Sequence, residues 1–164
     1  MRILIFIKMS LLLFTVVFYD GFADEFSSPL SLLDKELTPA MAERLPRRDC
    51  STPQRAFLGF LRGLVEGNIR DQLFCLTDDA KKDFANVTNE TDISEEKARG
   101  LAEEIKKRGS KIKLESFHAT PDTLPTRIVA VISETHGKRT MREKLEFTII
   151  KTNGQYKIST INEL

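Results

Sequence analysis

The sequence predicts an α+β domain in which helices come first and a curved antiparallel sheet of four strands wraps them. Apolar residues recur with a helical period from Thr52 to Arg108, and from Lys111 onward the period changes to two. Glycine-containing pairs, His136-Gly137 and Asn153-Gly154, separate the last three alternating segments. Runs of helices followed by runs of strands belong to the α+β class. The 164 residues are 41% apolar and 30% charged, a balance that suits one ordinary domain with a single core.

The first 23 residues lie outside this fold. Arg2 and Lys8 precede the uncharged, mostly apolar run Met9 to Tyr19, and Gly21-Phe22-Ala23 offers small residues where a signal peptidase reads. The run has 11 residues, short of the roughly 20 that cross a bilayer, so export with cleavage after Ala23 is expected rather than a permanent anchor. The alternative is a buried N-terminal helix, which would need cover on every side; Met9 is a second candidate start. On this reading the protein is periplasmic or secreted and meets a membrane only through its signal peptide. Residues 24–51 form an N-terminal extension and residues 52–164 the domain.

Pro29, Pro39 and Pro46 divide the extension, and Thr38-Pro39 reads as a cap followed by a first helical residue. Leu30, Leu32, Leu33, Leu37, Met41 and Leu45 suit short turns docked on the body, although a free arm fits the composition equally. Thr52-Pro53 repeats the cap and opens a helix whose apolar face is Phe57, Phe60, Leu61 and Leu64. Gly67-Asn68 ends it, and Ile69, Leu73, Phe74 and Leu76 mark a short second helix, followed by a turn from Asp78 to Phe84. Asn86-Val87-Thr88 and Asn89-Glu90-Thr91 match the N-glycosylation pattern and suit an exposed loop. Asp92 to Glu95 resembles a capping box, opening a third helix to Arg108 with Ala98, Leu101, Ala102 and Ile105 inward.

Four strands follow: one from Lys111, then Arg127 to Glu134, Arg139 to Lys151 and Tyr156 to Ile161. Alternation puts Ile112, Leu114, Ser116 and His118 on one face of the first. On the third it puts Glu143, Leu145, Phe147 and Ile149 on the inner face and Arg142, Lys144 and Glu146 outside.

Several chemistries are excluded at this level. Without residues 1–23 the chain has equal numbers of basic and acidic residues, so a nucleic-acid partner is not expected. Lys106-Lys107-Arg108 follows Glu103-Glu104 on the third helix, the order a helix dipole favours without any ligand. The two histidines and two cysteines form no metal-ligand spacing, and no phosphate loop or nucleophile elbow occurs, so neither metal nor cofactor is expected. Gly59, Gly63 and Gly67 lie four apart on a helix, a close-packing stripe.

Export would let Cys50 and Cys75 form a disulfide. The first helix spans about 22 Å and the return to Cys75 about 10 Å, so Cys50 must loop back to meet it. Two buried, unpaired thiols are the alternative.

The stretch TPQRAFLGFLRGLVEGNIRDQLFCLTDDAKKDF and the ending IIKTNGQYKISTI resemble the helical hairpin and the final hairpin of the nuclear transport factor 2-like superfamily, over about residues 52 to 162. The resemblance implies a cone, in which a strongly bent sheet and three helices enclose a pocket. Members include isomerase-like and dehydratase-like enzymes, subunit-association domains and small exported proteins. It implies a ligand pocket among Phe57, Phe60, Leu114, Ser116 and Phe147, with Tyr156 as a packing residue. Two functions follow. The first is a non-catalytic module that binds a small apolar ligand or a partner, or forms a homodimer through the open sheet face. The second is a pocket enzyme with Glu143 as base and His118 as acid or orienter. A solvated rim is the plain alternative for both residues, and His136 in its turn is read the same way.

Overall fold

The computed structural model describes residues 28–88, 109–120 and 124–164, together with Glu103 and Lys107, which are helical and exposed. The expected signal segment, the second match to the glycosylation pattern and the rest of the expected third helix lie outside the described residues. The architecture is α+β. A 3-10 turn at Pro29–Leu32 leads to β1 (Glu36–Leu37), α1 (Pro39–Ala42), α2 (Pro53–Glu66), α3 (Ile69–Phe74) and α4 (Asp78–Thr88). Then come β2 (Lys111–Ala119), β3 (Thr126–His136), β4 (Arg139–Thr152) and β5 (Gln155–Glu163). The strands pair antiparallel in sequence order, β1-β2-β3-β4-β5, and the sheet does not close.

The sheet thus has five strands rather than the expected four. The added strand comes from the extension, where Glu36 pairs with Lys113 and Leu37 with Ile112. A two-residue strand has no period to read, which is why alternation passes over it. The extension is docked: Leu32, Leu37 and Leu45 are buried in the same core as the helices and sheet.

Caps follow the sequence. Thr52 Oγ1 accepts from Arg55 N at 3.1 Å with Pro53 in the first turn, and Gly67 closes α2 in the left-handed region at φ 65°. Asn68 then caps α3 by accepting from Asp71 N at 3.3 Å. Two elements differ from their expected form. Leu76 leaves the helix and bridges to Ile158, and the expected turn after Asp78 runs on as an 11-residue helix. Asn86-Val87-Thr88 accordingly ends a helix instead of sitting in a loop.

Asn153 and Gly154 both have positive φ in the β4–β5 hairpin. In the β3–β4 hairpin the turn is shifted by one residue: Gly137, at φ 59°, and Lys138 form it, and His136 is the last strand residue, paired with Arg139.

The core is aromatic at its centre. Phe57 and Phe147 are fully buried, with ring centroids 5.1 Å apart edge-on, and Phe60 and Phe117 pack on this pair at 5.3 Å. Helix α2 is covered on its back as well, since Leu58, Gly59, Arg62 and Gly63 are all buried. There Arg62 donates to the carbonyls of Glu43 and Leu45 and to Glu66, so the extension is held to the helix by a buried guanidinium.

Candidate functional site

A groove of about 430 Å³ runs between the helices and the strands β3–β5 and opens to solvent. Its floor is apolar: Phe60 and Leu64 from α2, Leu76, Ala80 from α4, and Leu145 and Ile161 from the sheet. The side chains beneath it are already packed, so the space is additional to a filled core. A smaller cavity of about 60 Å³ adjoins the groove, sharing Leu64, Ile132 and Glu143 with it, and is lined as well by Ile112, Met141 and Glu134.

One polar side chain lies deep. Gln72 lines the groove with 8% of its surface exposed. Its backbone N–H bonds to Asn68 O at 3.1 Å, but its side-chain amide has no hydrogen-bond partner among the described residues. Gly63 fixes it there. A Cβ at position 63 would stand 2.5 Å from Gln72 N and 2.7 Å from its Cγ, so only glycine lets α3 cross α2 this closely. Acidic residues border the space: Glu143 and Asp83 line the groove and Glu134 the adjoining cavity, and among the described residues no Lys, Arg or His lines either. None of the three carboxylates is ion-paired among the described residues.

The residues expected to form the pocket divide. Phe60 lines the groove, whereas Phe57, Leu114 and Phe147 are fully buried and fill the core beneath it. Ser116 and His118 are exposed, which corrects their inward placement. A bulge is the cause: the β2–β3 register jumps between Leu114 and Ser116, so beyond Glu115 the alternation inverts and Phe117 and Ala119 turn to the core. Glu143 does lie on the inner face, at the exposed rim. It cannot trade a proton with His118. Glu143 faces Ile132 and then Leu114 across the sheet, whereas His118 faces Val129 and then Glu146, on other rungs and the opposite face. No cluster of metal-binding side chains occurs among the described residues. Tyr156 packs half-buried at the core edge, with Lys151 Nζ 5.2 Å above its ring.

Behind α3 a second polar cluster serves the framework. Asp71 is buried, and its carboxylate accepts from Arg47 Nε and Arg48 Nε, each at 2.8 Å, and from Asn68 Nδ2 at 3.0 Å. Burial alone would raise the carboxyl pKa, but the two guanidiniums outweigh it and hold the group below its ordinary value. This cluster has no local sequence signal, because the arginines lie 24 and 23 residues from the aspartate.

Cys50 and Cys75 are joined in a disulfide, with Cα atoms 5.8 Å apart. Both carbonyls are tied to β5: Tyr156 N donates to Cys50 O at 2.8 Å and Ile158 N to Cys75 O at 2.7 Å. Beside the bond, Phe74 lies between Arg48 and Lys157, 5.8 Å and 5.2 Å from its ring centroid. Burial, and then the charge of Lys81, lower the Lys157 pKa. No helix among the described residues is long and apolar enough to cross a membrane. Comparison of the chain with protein-family models and with curated proteins finds no match.

Proposed function

We propose that this protein is an exported, non-catalytic binding module of the nuclear transport factor 2-like type, which holds a small, largely apolar ligand in the groove between α2–α4 and the sheet. The observation that carries the reading is the groove itself: an apolar concavity of about 430 Å³ above a core that is already filled. Its size falls in the range of small-molecule sites, which combine an apolar lining with a few placed polar groups. Helices packed against an antiparallel sheet support the cone reading.

A pocket enzyme needs titratable groups converging in a water-excluding cavity. The separation of His118 from Glu143 and the solvent at the rim favour binding over catalysis. Export is supported by the charged and apolar pattern of residues 1–23 and by a disulfide, which persists in oxidising compartments. Mass spectrometry of the native protein tests export: a chain beginning at Asp24 is expected, and an intact Met1 or Met9 terminus contradicts it.

Calorimetric titration of the folded protein with a neutral amphiphile such as N-ethyloctanamide tests the groove. Saturable one-to-one binding is expected, weakened by Leu145→Arg, which sets a charge on the apolar floor. No heat at any concentration up to the solubility limit overturns the reading.

A further inference from the structure

We propose that the ligand of this groove is an amphiphilic amine: an apolar body with a hydrogen-bonding group along it and a cationic head at the mouth. The inference rests on the groove being a ligand site and goes on to name the chemistry it selects.

Two independent observations carry it. The first is Gln72. Buried polar groups are as a rule hydrogen-bonded, yet this carboxamide is only 8% exposed, lines the groove and has no partner among the described residues. The close crossing at Gly63 packs the Gln72 backbone and Cγ against α2. A carboxamide both donates and accepts, and it matches an amide or hydroxyl on the ligand.

The second is the sign of the mouth. Glu143 and Asp83 line the groove and Glu134 the cavity adjoining it, with no basic side chain lining either among the described residues. The carboxylates have no ion-pair partner among the described residues, so their field acts outward on whatever enters. A fatty carboxylate would meet like charge at the rim, a neutral amphiphile would gain only the floor and Gln72, and an ammonium gains all three. Such complementarity works through discrimination more than raw affinity.

Three probes of matched length separate these contributions: N-(2-aminoethyl)octanamide, N-propyloctanamide and N-octanoylglycine, which carry the same amide and differ in the charge of the head. In titration calorimetry at neutral pH and low salt, the amine is expected to bind about threefold to fivefold more tightly than the neutral probe, and the carboxylate more weakly still. Glu143→Gln, at an exposed rim position, should bring the amine and neutral probes to within about twofold. Gln72→Leu should weaken all three about fivefold and keep their order. Equal affinities for the three probes, or tightest binding of the carboxylate, overturn the amine assignment while leaving the groove as a binding site. If none of the probes binds, the groove reading falls with it.

Discussion

Arg47 Nε donates to Asp71 Oδ2 at 2.8 Å, fastening the segment before the first half-cystine to the helix that carries Gln72. With Arg48 on the other oxygen, this is a buried carboxylate whose two cationic partners are about half exposed. Removing the carboxylate leaves the guanidiniums access to water. Asp71→Asn should therefore cost about 1–3 kcal/mol of unfolding free energy, in the range for hydrogen bonds to charged groups, as measured by urea titration.

The same pair sets a pH dependence. The Asp71 carboxyl pKa is lowered in the folded state, so its stabilisation is complete above the unfolded value of about 4 and is lost as pH falls through the lower, folded value. Asp49, held low by its hydrogen bonds with Ser51 and by Arg55, and Asp78, held low by Lys81, act in the same direction. The melting temperature should fall below about pH 4, and less steeply in Asp71→Asn than in the unaltered protein. Parallel profiles for the two proteins would contradict this account of Asp71.

Gly63 is required for contact rather than for backbone freedom. In Gly63→Ala the new methyl meets the Gln72 backbone at 2.5 Å, and α3 has to retreat from α2. The expected loss is about 1–3 kcal/mol, as for overpacking elsewhere. Because Gln72 moves with α3, amide-bearing probes should bind this variant less tightly as well.

The disulfide closes a loop with a sequence separation of 25 residues. On the loop-entropy account its removal by Cys50→Ser with Cys75→Ser should cost about 3.5 kcal/mol. The hydrogen bonds from Tyr156 and Ile158 to the two backbone carbonyls do not involve sulfur, so the variant should keep its circular dichroism spectrum and melt at a lower temperature.

The bulge in β2 gives a contrast between neighbours. Phe117, partly buried and packed 5.3 Å from Phe57, should cost about 2–3 kcal/mol as Phe117→Ala, whereas His118→Ala on the exposed face should stay within about 0.5 kcal/mol of the unaltered protein. The reverse order would place the alternation break elsewhere.

That bulge also marks how far the sequence could be read. Helix periodicity and the Thr52-Pro53 and Gly67-Asn68 signals locate α2 and α3 because caps and amphipathic faces are local properties, and the Asn153-Gly154 turn is local in the same way. Alternation gives the correct inner face for Leu145, Phe147 and Ile149, on a strand without interruption in that stretch. It misplaces Ser116 and His118 because one extra residue at Glu115 inverts everything after it, and the only mark of this in the hydrophobic pattern is the step of three from Leu114 to Phe117. The groove was legible only in part. Phe60 and Glu143 could be placed near it, but Gln72 reads as a surface residue of a short helix until the α2–α3 crossing at Gly63 is known. The two-residue β1 and the arginine pair around Asp71 are products of long-range contact, invisible to any local rule.

Amide NMR of the labelled protein during titration with N-(2-aminoethyl)octanamide reports whether this groove is a ligand site. Saturable shifts confined to Leu64, Gln72, Ala80, Leu145 and Thr160 to Asn162 are predicted. Absence of shifts, or shifts centred on the outer face at His118, Val129 and Lys144, would contradict it.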